Sequence, residues 1–451
     1  MKQRAQSNRE LALAKLTRAV IGISGLSILG CGPSRVAVGG SESESTGGAE
    51  TETGDTTSDE TKFDLRTDDT AGTDEPEPEV QLIVALGSGL VDGESSFGPA
   101  QRFPTRQSVG LTALRNPQGM PQIATWDTHE LCLATVFERD GILTLDWHEC
   151  LEVGPLWDAT RMDANGDDSD ELLVLKLGGS FESFGLDPAS PTGLADAVAI
   201  TNPTPWDRSY GLTTGSLDAV PGDEAVATGS TGDLVLGATP TAVVVHGGDS
   251  LVATAVAEQA GSPHIAELTG DELPDLLIAN HIYRGTNDVD LVEMHLPLAT
   301  GAAGLLTMDG QGDGISEVAR VLEGTDDCAD PGMLELYTGP FIGSTPTPSV
   351  LDATDLDAES ALLVGDLDHD GVDEIVSVGV HDGVCPGAAR WTVTSVNPDI
   401  GTSAAVDLCD ADCLVVARLS AELAYTYPIA AELVDVNGDG HLDLAVLVEV
   451  D

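Results

Sequence analysis

Four stretches of the sequence set oxygen-bearing side chains at fixed intervals: "DANGDDSDEL" from Asp163, "DGQGDGISEV" from Asp309, "DLDHDGVDEI" from Asp366 and "DVNGDGHLDL" from Asp435. With the leading Asp counted as position 1, the oxygens fall at positions 1, 3, 5 and 9. The sets are Asp163, Asn165, Asp167 and Glu171; Asp309, Gln311, Asp313 and Glu317; Asp366, Asp368, Asp370 and Glu374; and Asp435, Asn437, Asp439 and Asp443. Hard cations prefer oxygen, and Ca²⁺ accepts six to eight oxygens in a forgiving geometry. Carboxylates this close repel one another unless an ion lies between them. Glycine at positions 4 and 6 lets the backbone curl, because it takes up positive φ cheaply. The chemistry these stretches point to is Ca²⁺ binding at three or four sites, the Asp309 set being the weakest because Gln311 is neutral. An acidic β-turn uses the same residue types. Repetition at fixed offsets separates the two readings.

An EF-hand loop would need Glu at position 12 and flanking helices. Position 12 here is Val174, Arg320, Ser377 or Val446, so that motif is excluded. A fifth copy, "ELTGDELPDL" from Glu267, has Thr269 at position 3 and reads as a plain turn. Two eroded copies, "VPGDEAV" and "NPQGMPQI", extend the series. Position 10 then falls at Ile123, Leu172, Ala225, Leu276, Val318, Ile375 and Leu444. Each unit of roughly 50 residues holds an apolar run before the loop, another after it, and two further β-like runs, which is the size of a propeller blade. The 51 Gly and 24 Pro suit many short strands. No helical periodicity appears outside the N-terminal segment.

Loops of the form D-x-[DN]-G-D-G-x-x-[DE] followed by a β run resemble the FG-GAP/VCBS repeats of the integrin α N-terminal type. The resemblance covers residues 80–451. It implies an all-β, seven-bladed β-propeller with Ca²⁺ in an intra-blade hairpin loop, and a binding role more often than catalysis. The last copy supplies only two strands of its blade, so "VQLIVALGSGLVDGESSFG" (80–98) is expected to complete it and close the ring, leaving no open edge.

Upstream, a basic start (Lys2, Arg4, Arg9, Lys15, Arg18) precedes the apolar run "AVIGISGLSILG", which is too short to span a bilayer and fits a signal peptide over 1–30. Ile28-Leu29-Gly30-Cys31 resembles the lipobox of bacterial lipoproteins, which implies lipidation at Cys31. Residues 31–79 are rich in Gly, Ser, Thr and acids, cannot bury a core, and read as a disordered tether spanning roughly 40 Å. The expected location is the cell envelope, outer membrane or cell surface, with the lipid as the only membrane contact. A net charge of −57 repels nucleic acid and argues against such a partner.

Export favours disulfides among the other six cysteines. Cys132 and Cys150 flank a hairpin turn; Cys409 with Cys413 and Cys328 with Cys385 are the other candidates. Catalytic motifs are absent: there is no G-x-S-x-G and no H-E-x-x-H, and no catalytic residue is assigned. His369 and His441 lie inside the acidic loops, where backbone or solvent-facing roles are expected. The functional expectation is a non-enzymatic binding or scaffold module, adhesion-like, for a protein or cell-surface ligand. The alternative is an extracellular hydrolase or lyase with its site at the channel mouth, marked by convergent buried polar residues of shifted acidity.

Overall fold

The computed structural model describes residues 79–450 apart from 90–96, 99–100, 107, 218–221, 233–238, 248–250, 258–260, 286–291, 296–304, 323–332, 343–346, 353–360, 380–389, 398–400 and 408–425. The expected signal peptide, the tether, Cys31, Cys328, Cys385, Cys409 and Cys413 lie outside the described residues.

Among the described residues the chain is all-β, without helices, and forms seven antiparallel sheets. The first holds Gly110–Arg115, Pro121–Trp126, Glu130–Arg139 and Ile142–Trp147, with Leu151–Glu152 added beside its third strand. The second holds Leu156–Met162, Glu171–Lys176, Phe181–Phe184 and Val198–Ile200, and the third Arg208–Gly215, Glu224–Thr231, Thr239–His246 and Val252–Ala257. Pro263–Ala266, Asp275–Ile278, His281–Arg284 and Val292–His295 make the fourth; Leu305–Met308, Glu317–Leu322, Met333–Tyr337 and Ser349–Asp352 make the fifth. The sixth is Ala361–Gly365, Glu374–Gly379, Arg390–Asn397 and Gly401–Asp407. In each of these six, strand order follows chain order.

The seventh sheet departs from that rule. Thr426–Val434 pairs with Asp443–Val450, which pairs with Glu79–Ala85, which pairs with Gln101–Pro104. The register sets Ala85 opposite Leu444 and Glu79 opposite Val450, so the pairing expected of residues 80–85 is present.

Local sequence explains the layering. Second strands such as "ELLVLK" are near-continuous apolar runs, the pattern of a strand covered on both faces. All seven position-10 residues lie in second strands and are wholly buried, so the repeat marks the same structural place in every sheet. Apolar side chains gather between neighbouring sheets: Leu133 and Val174 between the first and second, Phe181 and Val243 between the second and third, Leu447 and Ile123 between the seventh and first. The first strand of each sheet lies against the first strand of the next, and that of the seventh lies against that of the first. Cys132 and Cys150 form a disulfide with S–S 2.05 Å, joining the third strand of the first sheet to the segment that pairs beside it.

Candidate functional site

Each acidic stretch is the turn between the first and second strands of a sheet. The position-9 residue opens the second strand and pairs with the last residue of the first: Met162 with Glu171, Met308 with Glu317, Gly365 with Glu374, and Val434 with Asp443. The loops are not extended strands whose alternate residues converge. They are tight coils wound on the position-1 carboxylate. Asp435 accepts the amides of Gly438 (2.7 Å), Asp439 (3.1 Å) and Gly440 (3.1 Å), and Asp163 accepts those of Gly166, Asp167 and Asp168. Asp366 and Asp309 do the same for positions 5 and 6.

Positions 4 and 6 carry positive φ in all of these loops. Glycine fills most of them, but His369 (61°) and Asp168 (64°) hold the same backbone without it. The conformation therefore belongs to the loop and not to glycine alone.

The position-9 carboxylate accepts the position-2 amide in every copy that has one, and is buried in all of them except Glu171, which is half-buried. Ala164 donates to Glu171, Leu217 to Glu224, Leu268 to Asp275, Gly310 to Glu317, Leu367 to Glu374 and Val436 to Asp443. Burial pushes Asp443 up to about 7; the amides of Gly87 and Val436 oppose this, and the charges of Asp439 and Asp435 add to it. Glu317 is also pushed up to about 7 by burial, against hydrogen bonds from Gln311 and Gly310 and with Asp309 and Asp313 adding repulsion. Burial raises Glu171 as well. Negative charge crowded into a buried corner is the electrostatic setting a divalent cation relieves.

In the sixth sheet Asp366, Asp368 and Glu374 each offer an oxygen within 4.8 Å of the others, a spacing that fits one ion. The Asp163 and Asp435 loops share that backbone, with an amide oxygen at position 3 in place of a carboxylate. Glu317 also accepts Gln311 Nε2 at 2.5 Å, so part of its capacity is already taken by the neutral residue that weakens this copy.

The loop from Glu267 solves its charge problem internally. Glu267 Oε1 accepts the amides of Thr269, Gly270 and Asp271, reproducing the coil. Arg284, from the third strand of the same sheet, then places Nε and Nη2 each 2.6 Å from Asp271 Oδ2. An arginine occupies the electrostatic role that a metal would take.

Sequence reasoning missed position 8. Asp223 accepts the Asp163 amide through its carboxylate and donates its own amide to the Asp163 carbonyl. Asp373 does this to Asp309, and Asp170 to Arg115. Each is a two-bond clasp from one sheet to the position-1 region of the preceding sheet. The signal was present, since an acid stands at position 8 in "DSDEL", "PGDEAV" and "GVDEI". Unlike the acids at positions 1, 3, 5 and 9, it serves the joint between sheets.

A second polar group lies where the first strands of the seventh, first and second sheets meet. Glu432 Oε1 accepts Thr112 Oγ1 at 3.3 Å, while Glu432 Oε2 is buried and without a hydrogen-bond partner. Burial pushes Glu432 up to about 7, against the pull of Arg161, the Thr112 hydroxyl and the Ala113 amide, with Asp170 adding repulsion. Arg115 extends the group, its guanidinium 3.3 Å from Asp435 Oδ2.

No family model and no curated protein sequence matches the chain. Solved structures do match in fold. A putative 6-phosphogluconolactonase from Bacteroides uniformis is 13% identical, with 73% of this chain and 96% of that chain covered and a TM-score of 0.41. The periplasmic gluconolactonase of Pseudomonas aeruginosa is 13% identical over 73% and 96%, TM-score 0.42. An exotype rhamnogalacturonan lyase is 11% identical over 76% and 72%, TM-score 0.41. The fold is β-propeller-like. These neighbours are named as enzymes. The expected non-enzymatic, adhesion-like module has no counterpart among them and gives way to its alternative, a hydrolase or lyase, which is proposed below.

Proposed function

We propose that the chain is an exported, Ca²⁺-stabilised enzyme, a hydrolase or lyase, built on a closed seven-bladed β-propeller of the FG-GAP/VCBS type and anchored by lipid at Cys31. The observation that carries the catalytic reading is the placement of Glu432. It stands on a first strand, where a propeller turns its blades toward the central channel, with Thr112 and Arg161 contributed by two other sheets. A carboxyl titrating near neutrality serves as both proton acceptor and proton donor, which is the requirement of general acid–base catalysis. Thr112 fixes one oxygen by donating to it, leaving Oε2 to take a proton from a bound water or from a carbon acid. Arg161, exposed beside it, supplies positive charge to the anion that proton removal creates.

Ca²⁺ supplies no step of this chemistry. Its residues would be Asp163, Asn165, Asp167 and Glu171; Asp366, Asp368, Asp370 and Glu374; Asp435, Asn437, Asp439 and Asp443; and, more weakly, Asp309, Asp313 and Glu317. The electrostatics of the position-9 acids and the spacing in the sixth sheet support this assignment. Bound there, the ion would stiffen the turns that end the first strands.

The test is a survey of ester, lactone and acidic-polysaccharide substrates at pH 5–8 with Ca²⁺ present. Turnover should fall about 10²–10⁴-fold in Glu432→Gln, with an unchanged melting profile. Turnover indifferent to that substitution, or none on any substrate class, overturns the catalytic reading.

A further inference from the structure

The structure brings together two histidines that the sequence separates by 72 residues. His369 is at position 4 of the sixth-sheet loop and His441 at position 7 of the seventh-sheet loop. His369 faces solvent as expected, but the two rings also meet each other. His369 Nε2 and His441 Nδ1 lie 3.1 Å apart, with ring centroids 5.1 Å apart and planes tilted by 41°.

The local backbone holds both rings in place. His369 has φ of 61°, a conformation that L side chains adopt at a cost. The His441 ring packs on Gly89, where any Cβ would collide with its Cε1 and Nδ1 atoms. Glycine at 89 thus leaves room for this imidazole, beside the strand that completes the seventh sheet.

The two imidazole nitrogens lie within hydrogen-bonding distance of each other. The same arrangement suits a metal: Zn–N bonds of about 2.0–2.1 Å in a tetrahedral site place two nitrogens roughly 3.3 Å apart. Imidazole selects borderline ions such as Zn²⁺, Ni²⁺ and Cu²⁺, whereas the oxygen sets below it suit Ca²⁺. We propose that His369 and His441 form a two-histidine site for a divalent transition ion, distinct from the Ca²⁺ loops, which staples the sixth sheet to the seventh. The site is exposed, so water completes the coordination. The proposal is independent of the catalytic reading.

The experiment is a Zn²⁺ titration of the full chain held in saturating Ca²⁺, read by competition with a chromophoric indicator. One Zn²⁺ should remain bound that Ca²⁺ does not displace. His369→Ala and His441→Ala should each weaken it at least tenfold, and the double variant should be no worse than either single one. Ca²⁺ stoichiometry and circular dichroism should be unchanged in all three. With Cu²⁺ as probe, electron paramagnetic resonance should show hyperfine splitting from two nitrogens in the wild type. Zinc affinity unchanged in either single variant, zinc fully displaced by Ca²⁺, or a copper spectrum without nitrogen splitting overturns the proposal.

Discussion

The loop from Glu267 and the loop from Asp435 solve the same problem in opposite ways. Both wind their amides on a position-1 carboxylate, and both bury a position-9 Asp that accepts a position-2 amide. Both Asp residues also reach a glycine just beyond the neighbouring third strand, Gly285 or Gly87, where a Cβ would strike the carbonyl of Pro274 or Leu442. The difference is the cation. Burial alone would raise Asp271, but Arg284 outweighs it and holds Asp271 below the usual carboxylate range. The Asp435 loop has only the Arg115 guanidinium, from another sheet and 3.3 Å from Asp435 Oδ2, and Asp443 is pushed up to about 7, against about 6 for Asp275. A loop that carries its own cation can dispense with a metal; one that does not is where the proposed Ca²⁺ would act.

Removing Ca²⁺ should have the largest effect. Chelation should lower Tm markedly, each site held at a hundred times its Kd contributing about 2.7 kcal/mol, and calorimetry with and without added Ca²⁺ measures it. A metal content below one ion per chain would break the comparison at its root.

Next comes a matched pair, Asp443→Ala and Asp275→Ala. Each strands two amides, at about 1–3 kcal/mol apiece when buried and unsatisfied, so urea denaturation should show similar losses of about 2–6 kcal/mol. Only Asp443→Ala should also remove one Ca²⁺ from the stoichiometry.

The pH response of the chelated protein sharpens the contrast. Asp443 and Glu317 have folded-state values raised to about 7, so the folded chain keeps protons that the unfolded chain releases. Stability therefore falls as pH rises from the ordinary carboxylate range through about 7. Tm in chelator should climb as pH is lowered from 8 to 6, and saturating Ca²⁺ should flatten that slope because the ion competes with the proton.

Smallest is Arg284→Met, which leaves Asp271 without its partner. The pair is half-exposed on the arginine side, so the loss should be about 0.5 kcal/mol and should shrink in high salt. A stabilising outcome would contradict the view that Arg284 stands in for a metal.

The architecture was legible because the repeat ties a turn to a buried residue. Once position 10 was marked, all seven second strands were placed, including the two whose loops have eroded to "NPQGMPQI" and "VPGDEAV". The acids at positions 1 and 9 were legible as a set, though their hydrogen bonds were not. Composition shows that oxygens are available, not whether they accept an amide or wait for an ion. Position 8 was overlooked because it acts on the preceding sheet, a contact that no single repeat contains. Glu432, Thr112 and Arg161 were out of reach for a similar reason, since no motif joins residues 112, 161 and 432. Arg284 lay beyond the motif window, although it is on the strand hairpinned to the loop's own second strand.

The pairing of Glu79–Ala85 with Asp443–Val450 has a consequence in time. The bond from Gly87 to Asp443 joins residues 356 apart. At about 5–20 residues per second of synthesis, the earlier strand waits roughly 20–70 s for its partner to exist. Six sheets can assemble from neighbours in that interval, while Glu79–Ala85 has only Gln101–Pro104 to pair with and keeps its other edge bare. Whatever accompanies the nascent chain must keep Glu79–Ala85 from pairing elsewhere until the last strand has been made.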